Sequence, residues 1–274
     1  MDEWRIIDTG SNDAFFNMAV DEAIMISHKS GLVPPSIRFY QWNPPGLSLG
    51  YFQKAEKEVD LDVCKRYNVD LVRRLTGGRA VLHDDELTYS IIINEKFNFL
   101  PASILKSYKI ISEGIIKGLQ SLGINAELKA IDGNKKKALQ GFSAACFDTP
   151  SWYEIVVNDK KLVGSAQTRQ KSIIVQHGSI PLTIDVDKLY NVLKIPNEKT
   201  RRRMKKRFEK NATAINYETK SSITIFDLKK SLIKGWEDTF KIKLTPGKLI
   251  PEEEKLIKNL IHEKYKNDEW NFKR

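Results

Sequence analysis

The chain has only two cysteines and four histidines in 274 residues. Cys64 and Cys146 stand far apart, which excludes a disulfide framework and a cysteine-built metal cluster; a reducing compartment fits such usage best. No apolar run approaches the roughly 18 residues that a membrane span needs. The opening Met-Asp-Glu-Trp-Arg-Ile-Ile has no basic region followed by an apolar one, so no signal peptide is expected. Internal repeats, low-complexity linkers, helix-turn-helix patterns and RNA-binding motifs are missing as well. The expectation is a soluble, cytoplasmic, monomeric protein, with neither membrane nor nucleic acid among its partners. An excess of acid is also lacking. Lys and Arg number 45 against 35 Asp and Glu, a net charge of +10, which suits an acidic partner.

What is present reads as strands interleaved with helices, an α/β or α+β domain around a mixed sheet. Trp4 to Thr9 reads as a strand, and Ser11, Asn12 and Asp13 offer cap oxygens to a helix over Ala14–His28. Ile37–Trp42 and Leu47–Phe52 flank an Asn-Pro-Pro-Gly turn and read as a hairpin. Val59–Tyr67 reads as a short helix with Cys64 as a small core residue. A strand from Val69 ends in Arg73-Arg74, turns at Gly77-Gly78, and returns as Ala80–Leu82. Paired glycines let a ligand approach the main chain. Arg73, Arg74 and Arg79 could meet a phosphate or an acyl carbonyl there, or be solvated residues of a plain hairpin. His83 beside Asp84 and Asp85 suits a metal or catalytic pair less well than simple hydrogen bonding. Further helices are expected over Ser103–Leu122, Ile184–Leu193, Ile223–Phe240 and Pro251–Tyr265, with a strongly basic run over Lys199–Lys210.

The stretch Gln140–Ile180 carries the chemistry. Cys146 lies among the small residues Ser143, Ala144 and Ala145. Asn158-Asp159 then reads as a two-residue hairpin turn, setting Val156 opposite Lys161 and Val157 opposite Lys160. A cation near a thiol favours the thiolate, the nucleophilic form. The periodicity does not choose between the two lysines, and an ordinary account, with Cys146 a buried small hydrophobe and both lysines solvated, stands beside the catalytic one.

Several motifs go further. Arg-Arg-Leu-Thr-Gly-Gly-Arg-Ala-Val-Leu-His-Asp (73–84), Lys-Leu-Val-Gly-Ser-Ala-Gln from Lys161 and Gln-His-Gly-Ser-Ile from Gln176 together resemble the lipoate–protein ligase A family. The chain departs from the ATP-using ligases in having Gly-Gly-Arg where they carry three glycines, and Ser-Ala-Ala-Cys near position 146. There it is similar to the family's octanoyltransferases that use a cysteine nucleophile. The resemblance implies a biotin/lipoate–protein ligase-like fold, a mixed β-sheet with flanking helices, set on one side. A catalytic domain over 1–246 would be followed by a C-terminal helical tail over 247–274.

It also implies octanoyl transfer from the phosphopantetheine thioester of acyl carrier protein to a lipoyl-domain lysine, glycine cleavage H protein being the expected acceptor. Cys146 would be the nucleophile and Lys161 its partner, with neither ATP nor metal. Substrate binding is expected of Arg73, Arg74, Gly77, Gly78, Arg79, Ala80, His83, Gly164, Ser165, Ala166, His177 and Gly178. Phe39, Trp42, Leu49 and Tyr51, with Val81, would sheath the acyl tail. The Lys199–Lys210 run is a candidate docking patch for an acidic partner. An ATP-dependent lipoate–protein ligase and an octanoyl amidotransferase acting between lipoyl domains are the alternatives.

Overall fold

The computed structural model describes residues 3–97, 100–130, 153–219 and 222–274. In chain order these form β1 (Glu3–Asn12), α1 (Ala14–Lys29), β2 (Ser36–Trp42), β3 (Gly46–Leu49), α2 (Ala55–Glu58), α3 (Leu61–Arg66), β4 (Asp70–Arg73), β5 (Val81–His83) and β6 (Glu86–Asn94). Next come α4 (Ile104–Ser121), β7 (Glu127–Ala130), β8 (Tyr153–Val157), β9 (Lys160–Gln170) and β10 (Ile173–Pro181). The remainder is α5 (Val186–Asn191), α6 (Glu198–Asn211), α7 (Ile215–Glu218), α8 (Ile225–Phe240), β11 (Lys243–Pro246), α9 (Pro251–Leu260), which runs on into a π-helical turn (Ile261–Tyr265), and α10 (Asp268–Asn271). Helix starts follow cap chemistry. Asp13 accepts from the Phe16 amide, and Thr224 with Asp227 forms a capping box on α8, satisfying donors that a helix leaves orphaned at its first turn.

Among the described residues, eight strands form one mixed sheet in the order β11-β1-β2-β6-β10-β9-β8-β7. β1 runs parallel to β2 and β11, and the other pairs are antiparallel. β6 is buried from Glu86 through Ile93, so both faces of the sheet need cover. Phe39, Tyr89, Ile91 and Ile93 pack under α4 and α8, while Tyr40, Trp42 and Ile92 pack under α1. Helices thus lie on both sides of the sheet, not on one as expected. α4 and α8 touch where side chains are smallest: a Cβ on Gly114 would sit 2.1 Å from Trp236 Cδ1, and one on Gly235 2.2 Å from the Gly114 carbonyl.

The expected hairpins before Leu82 are not formed. β3 leaves the large sheet and joins a second one, in the order β4-β3-β5. It lies parallel to β4 and antiparallel to β5, between the strands expected to pair with each other. Pro44 and Pro45 have no amide hydrogen for a ladder back to β2, and the Gly77-Gly78 segment spans the width of β3 rather than closing a tight turn. The Asn158-Asp159 turn forms as expected, with φ of 50° and 64° and with Val156 opposite Lys161 and Val157 opposite Lys160. β11, only four residues long, carries no alternation that would announce it.

Residues 247–274 pack back on the body. Ile257 and Tyr265 are buried with α1. Glu253 is fully buried, takes Arg5 Nη1 at 3.0 Å and accepts the Ile250 amide at 2.9 Å.

Candidate active site

β6, β10 and β9 lie side by side, and small residues on them leave a cavity next to the sheet. Its wall is made by Gly164, Ser165 and Ala166 of β9, His177, Gly178 and Ser179 of β10, and Thr88 of β6; Met18, Tyr40, Trp42, Ser48, Arg74, Val81 and His83 close it. Gly178 has to be glycine, since a Cβ there would meet Ser165 Oγ at 2.5 Å and Tyr89 Cε1 at 2.6 Å. Ser165 and Tyr89 share a 2.8 Å hydroxyl–hydroxyl bond behind it. Trp42 and Val81 belong to the wall, as expected. The other three expected wall residues do not. Phe39 is three residues from Trp42, so the two-residue period of a strand turns it to the opposite face, where it meets Trp236 at 5.9 Å. Leu49 is buried in the cluster beneath the loop, and Tyr51 lies outside under the Lys273 ammonium, 3.8 Å from its ring.

Two buried histidines edge the cavity, each backed by a carboxylate. His177 Nε2 is 2.6 Å from Thr76 Oγ1, and its Nδ1 is 3.7 Å from Asp21. Burial lowers the His177 pKa, and Asp21 offsets this only in part. Burial by itself would raise the Asp21 pKa, but Arg38 at 2.7 Å and bonds from its neighbours hold it below the usual carboxylate range. The result is a neutral imidazole beside an ionised acid. His83 stacks on Trp42 with centroids 4.0 Å apart, its Nδ1 2.8 Å from Glu86 and its Nε2 2.8 Å from Ser48 Oγ. Its carboxylate partner is therefore Glu86 rather than Asp84 or Asp85. Thr88 and Ser179 also donate to Glu86, and Trp42 Nε1 donates to Thr88 Oγ1 at 2.8 Å.

The arginines of the glycine loop are used differently from the sequence expectation. Arg73 is fully buried; its Nη1 donates to the carbonyls of Gly50 (3.0 Å), Tyr51 (3.1 Å) and Gln53 (2.8 Å). Its Nη2 donates to the Asn271 carbonyl at 2.7 Å, and its amide to Asn271 Oδ1 at 2.8 Å. Arg74 donates to the carbonyls of Ser48 at 2.7 Å and of Gly77 and Arg79 at 2.8 Å. Carbonyl oxygens of β3, the segment after it, the C-terminal segment and, for Arg74, the loop itself occupy the groups that were expected to face a ligand. Arg73 and Arg74 frame the loop. Gly78 has φ +95°, a left-handed conformation that glycine adopts without steric cost, and its carbonyl would lie 2.0 Å from a Cβ on Gly50. Gly77 lies under Phe52, Arg79 is half-buried with Nη1 3.9 Å from Glu58, and Ala80 belongs to the cluster beneath the loop.

Burial now separates the two lysines. Lys160 is half-buried at the turn, whereas the Lys161 side chain is 4% exposed and its Nζ donates to Glu154 Oε1 at 2.8 Å. The Lys161 carbonyl accepts the Thr213 amide at 2.9 Å, which ties β9 to the segment following α6. Lys161 stands three positions before Gly164 of the cavity wall. Cys146 and its neighbours lie outside the described residues. Cys64 is buried and its thiol is pushed up to about 11 by burial, with Asp60 adding to the shift, so it is a core residue. Met18, Tyr40, Ser48, Thr88, Asp21 and Glu86 were not foreseen. Tyr40 had a signal, standing one strand period before Trp42. Among the described residues no group of three or more His, Cys, Asp or Glu could hold a metal, and no helix is long and apolar enough to cross a membrane.

Comparison with known proteins agrees with the motifs. Residues 13–237 match the lipoyl protein ligase A/B catalytic domain. The octanoyltransferase LipM of Geobacillus kaustophilus is 48% identical over 273 residues, covering 99% of this chain and 98% of that protein. That of Bacillus subtilis is 45% identical over 273 residues, with 99% and 98% covered. Among solved structures, a bi-partite lipoate protein ligase from Thermoplasma acidophilum superposes with a TM-score of 0.81 at 28% identity, covering 99% of this chain and 97% of that one. A lipoate-protein ligase A bound with ATP gives 0.79 at 27% identity, with 98% of each chain covered. With the motifs, the sheet order and these matches in agreement, the chain belongs to the lipoyl protein ligase A/B catalytic domain family.

Proposed function

We propose that the chain is an octanoyltransferase of protein lipoylation. It moves an octanoyl group from the phosphopantetheine thioester of acyl carrier protein to the lysine of a lipoyl domain, such as glycine cleavage H protein. The observation that carries this reading is the buried Lys161, on the same strand as Gly164–Ala166 of an apolar-edged cavity, in a chain close to 50% identical to proteins named octanoyltransferase.

Cys146 acts as the nucleophile and Lys161 favours its thiolate. The thiolate attacks the thioester carbonyl, and the carbon–sulfur bond to the carrier breaks. The leaving thiolate takes a proton and departs as the free carrier thiol. One thioester replaces another, so no nucleotide is needed to drive the step. The acceptor lysine, as the free amine, then attacks acyl-Cys146. An amide forms, the amine proton is handed on with Lys161 as the shuttle, and the cysteine is restored. Backbone amides near Gly77-Gly78 and at Cys146 or Phe147 are assigned to the oxyanion. Gly164, Ser165, Ala166, His177, Gly178 and His83 bound the acyl group, and the 1–246 segment forms the catalytic body with 247–274 as its helical extension.

The test is a donor comparison. With octanoyl carrier protein and no acceptor, mass spectrometry should find an octanoyl adduct on wild type that Cys146→Ala lacks. The ATP-dependent reading has support in the fold shared with a ligase bound with ATP. It predicts instead that free octanoate or lipoate with ATP suffices and that Cys146→Ala stays active. A donor requirement for an octanoylated lipoyl domain would mean amidotransfer.

A further inference from the structure

Helix α6 gathers much of the chain's positive charge. Of its 14 residues, eight are basic and two acidic. One narrow face is spent on the fold: Phe208 is buried, and Arg201 donates to the Tyr190 carbonyl at 2.8 Å. Arg202 and Lys205 are compensated, by Glu198 and Asp187. Arg203, Lys206 and Lys210 are exposed, and among the described residues they form no ion pair. Arg203 and Lys206, three positions apart, share one helix face and border an open groove with Arg202, Lys205 and Glu209.

The position of this face matters as much as its charge. α6 ends at Asn211, and the next two residues run beside Lys161: Ala212 pairs with it in parallel, and the Thr213 amide donates to its carbonyl. At 1.5 Å per residue the whole helix is about 20 Å long, so whatever rests on it is within one helix length of the lysine. Of the two macromolecules the reaction needs, an acceptor presents a lysine cation at its tip. A phosphopantetheine-bearing donor presents a phosphodiester anion on the arm that carries the thioester. A basic shelf beside the site repels the first tip and attracts the second.

We infer that the outward face of α6, centred on Arg203 and Lys206, is the docking surface for the acidic, phosphopantetheine-bearing acyl donor. The inference rests on the transfer reaction proposed above and names its donor side. Exposed charges of this kind act on encounter rate and partner choice more than on the chemical step.

The test uses the double reversal Arg203→Glu/Lys206→Glu in the full chain, against wild type and the charge-preserving pair Arg203→Lys/Lys206→Arg. Binding of octanoyl carrier protein is measured by fluorescence anisotropy at two salt concentrations. Transfer is measured in parallel from octanoyl-pantetheine, a thioester with neither protein nor phosphate. The expected result is about a tenfold or greater loss of carrier binding in the reversal, a flatter salt dependence, and retention in the conservative pair. The acceptor KM and transfer from octanoyl-pantetheine should hold. Undiminished carrier binding in the reversal, wild type that does not bind the carrier, or a raised acceptor KM in place of lost carrier binding would each overturn it. The transferase reading is judged apart from this, by whether wild type acylates an acceptor from octanoyl-pantetheine.

Discussion

Two groups of arginines in this chain meet opposite fates. Arg73 and Arg74, in a motif that suggests ligand binding, are buried and occupied by carbonyls of the 48–53 segment, the C-terminal segment and, for Arg74, the loop. Arg202 and Arg203, in a run that resembles ordinary solvated surface, point outward. The planar fork of five donors serves both ends. Inside, it fixes a loop that has no regular hydrogen-bonding ladder of its own, and removing it strands several buried carbonyls. Outside, it costs and contributes little to stability, and at Arg203, which has no ion pair among the described residues, it is free to meet a partner. Charge in a sequence therefore says less than the number of oxygens within reach of it.

Four substitutions sharpen the contrast. Arg73→Met removes at once the five bonds its guanidinium donates, to the carbonyls of Gly50, Tyr51, Gln53, Trp270 and Asn271; a loss of about 3–5 kcal/mol is expected, read as a lower denaturation midpoint, and Arg73→Lys should not rescue it because an ammonium lacks the fork. Undisturbed stability in Arg73→Met would put the loop's frame elsewhere. Asn271→Ala keeps Arg73 but strands its amide, which should cost about 1–3 kcal/mol and show in hydrogen exchange as faster opening around Gly77-Gly78. His177 gives a pH signature. Its pKa is lowered by burial in the folded state, so the unfolded chain binds more protons and stability should fall as pH drops below the unfolded value of about 6.5. In His177→Gln, urea midpoints followed across that range should lose part of this slope; an unchanged slope would assign it to other groups. Smallest is Arg203→Glu/Lys206→Glu, whose stability should stay within about 0.5 kcal/mol of wild type, read as a nearly unchanged thermal midpoint. A larger loss would mean that α6 needs its charges to fold.

What the sequence displayed was what is local. The Asn158-Asp159 hairpin could be read because both of its strands and its turn lie within a few residues, and the Val156–Lys161 pairing followed from counting. The capped helices over 14–29 and 225–240 were equally readable. The β4-β3-β5 sheet was not, since its central strand pairs in parallel with a strand some twenty residues later, and no turn records such a partner. The cavity wall was read only in part, Trp42 and Val81 being lining residues and Phe39, Leu49 and Tyr51 not. Aromatic content suggested it, but only the strand period separates Tyr40 and Trp42 from Phe39. Glu86 as the partner of His83 was hidden by two nearer carboxylates, Asp84 and Asp85, while Glu86 alone is turned inward by β6. The motifs placed the family correctly and misjudged Arg73, because its acceptors include a residue 198 positions away.

That separation bears on how the protein is made. A chain leaving the ribosome exposes the strands of the cavity long before Asn271 is added, and distant contacts form slowly. The glycine loop therefore passes through a period in which its Arg73 amide and guanidinium await their last partners. In a refolding chain most secondary structure should form before the loop is set, so acquisition of activity should lag behind recovery of helix signal.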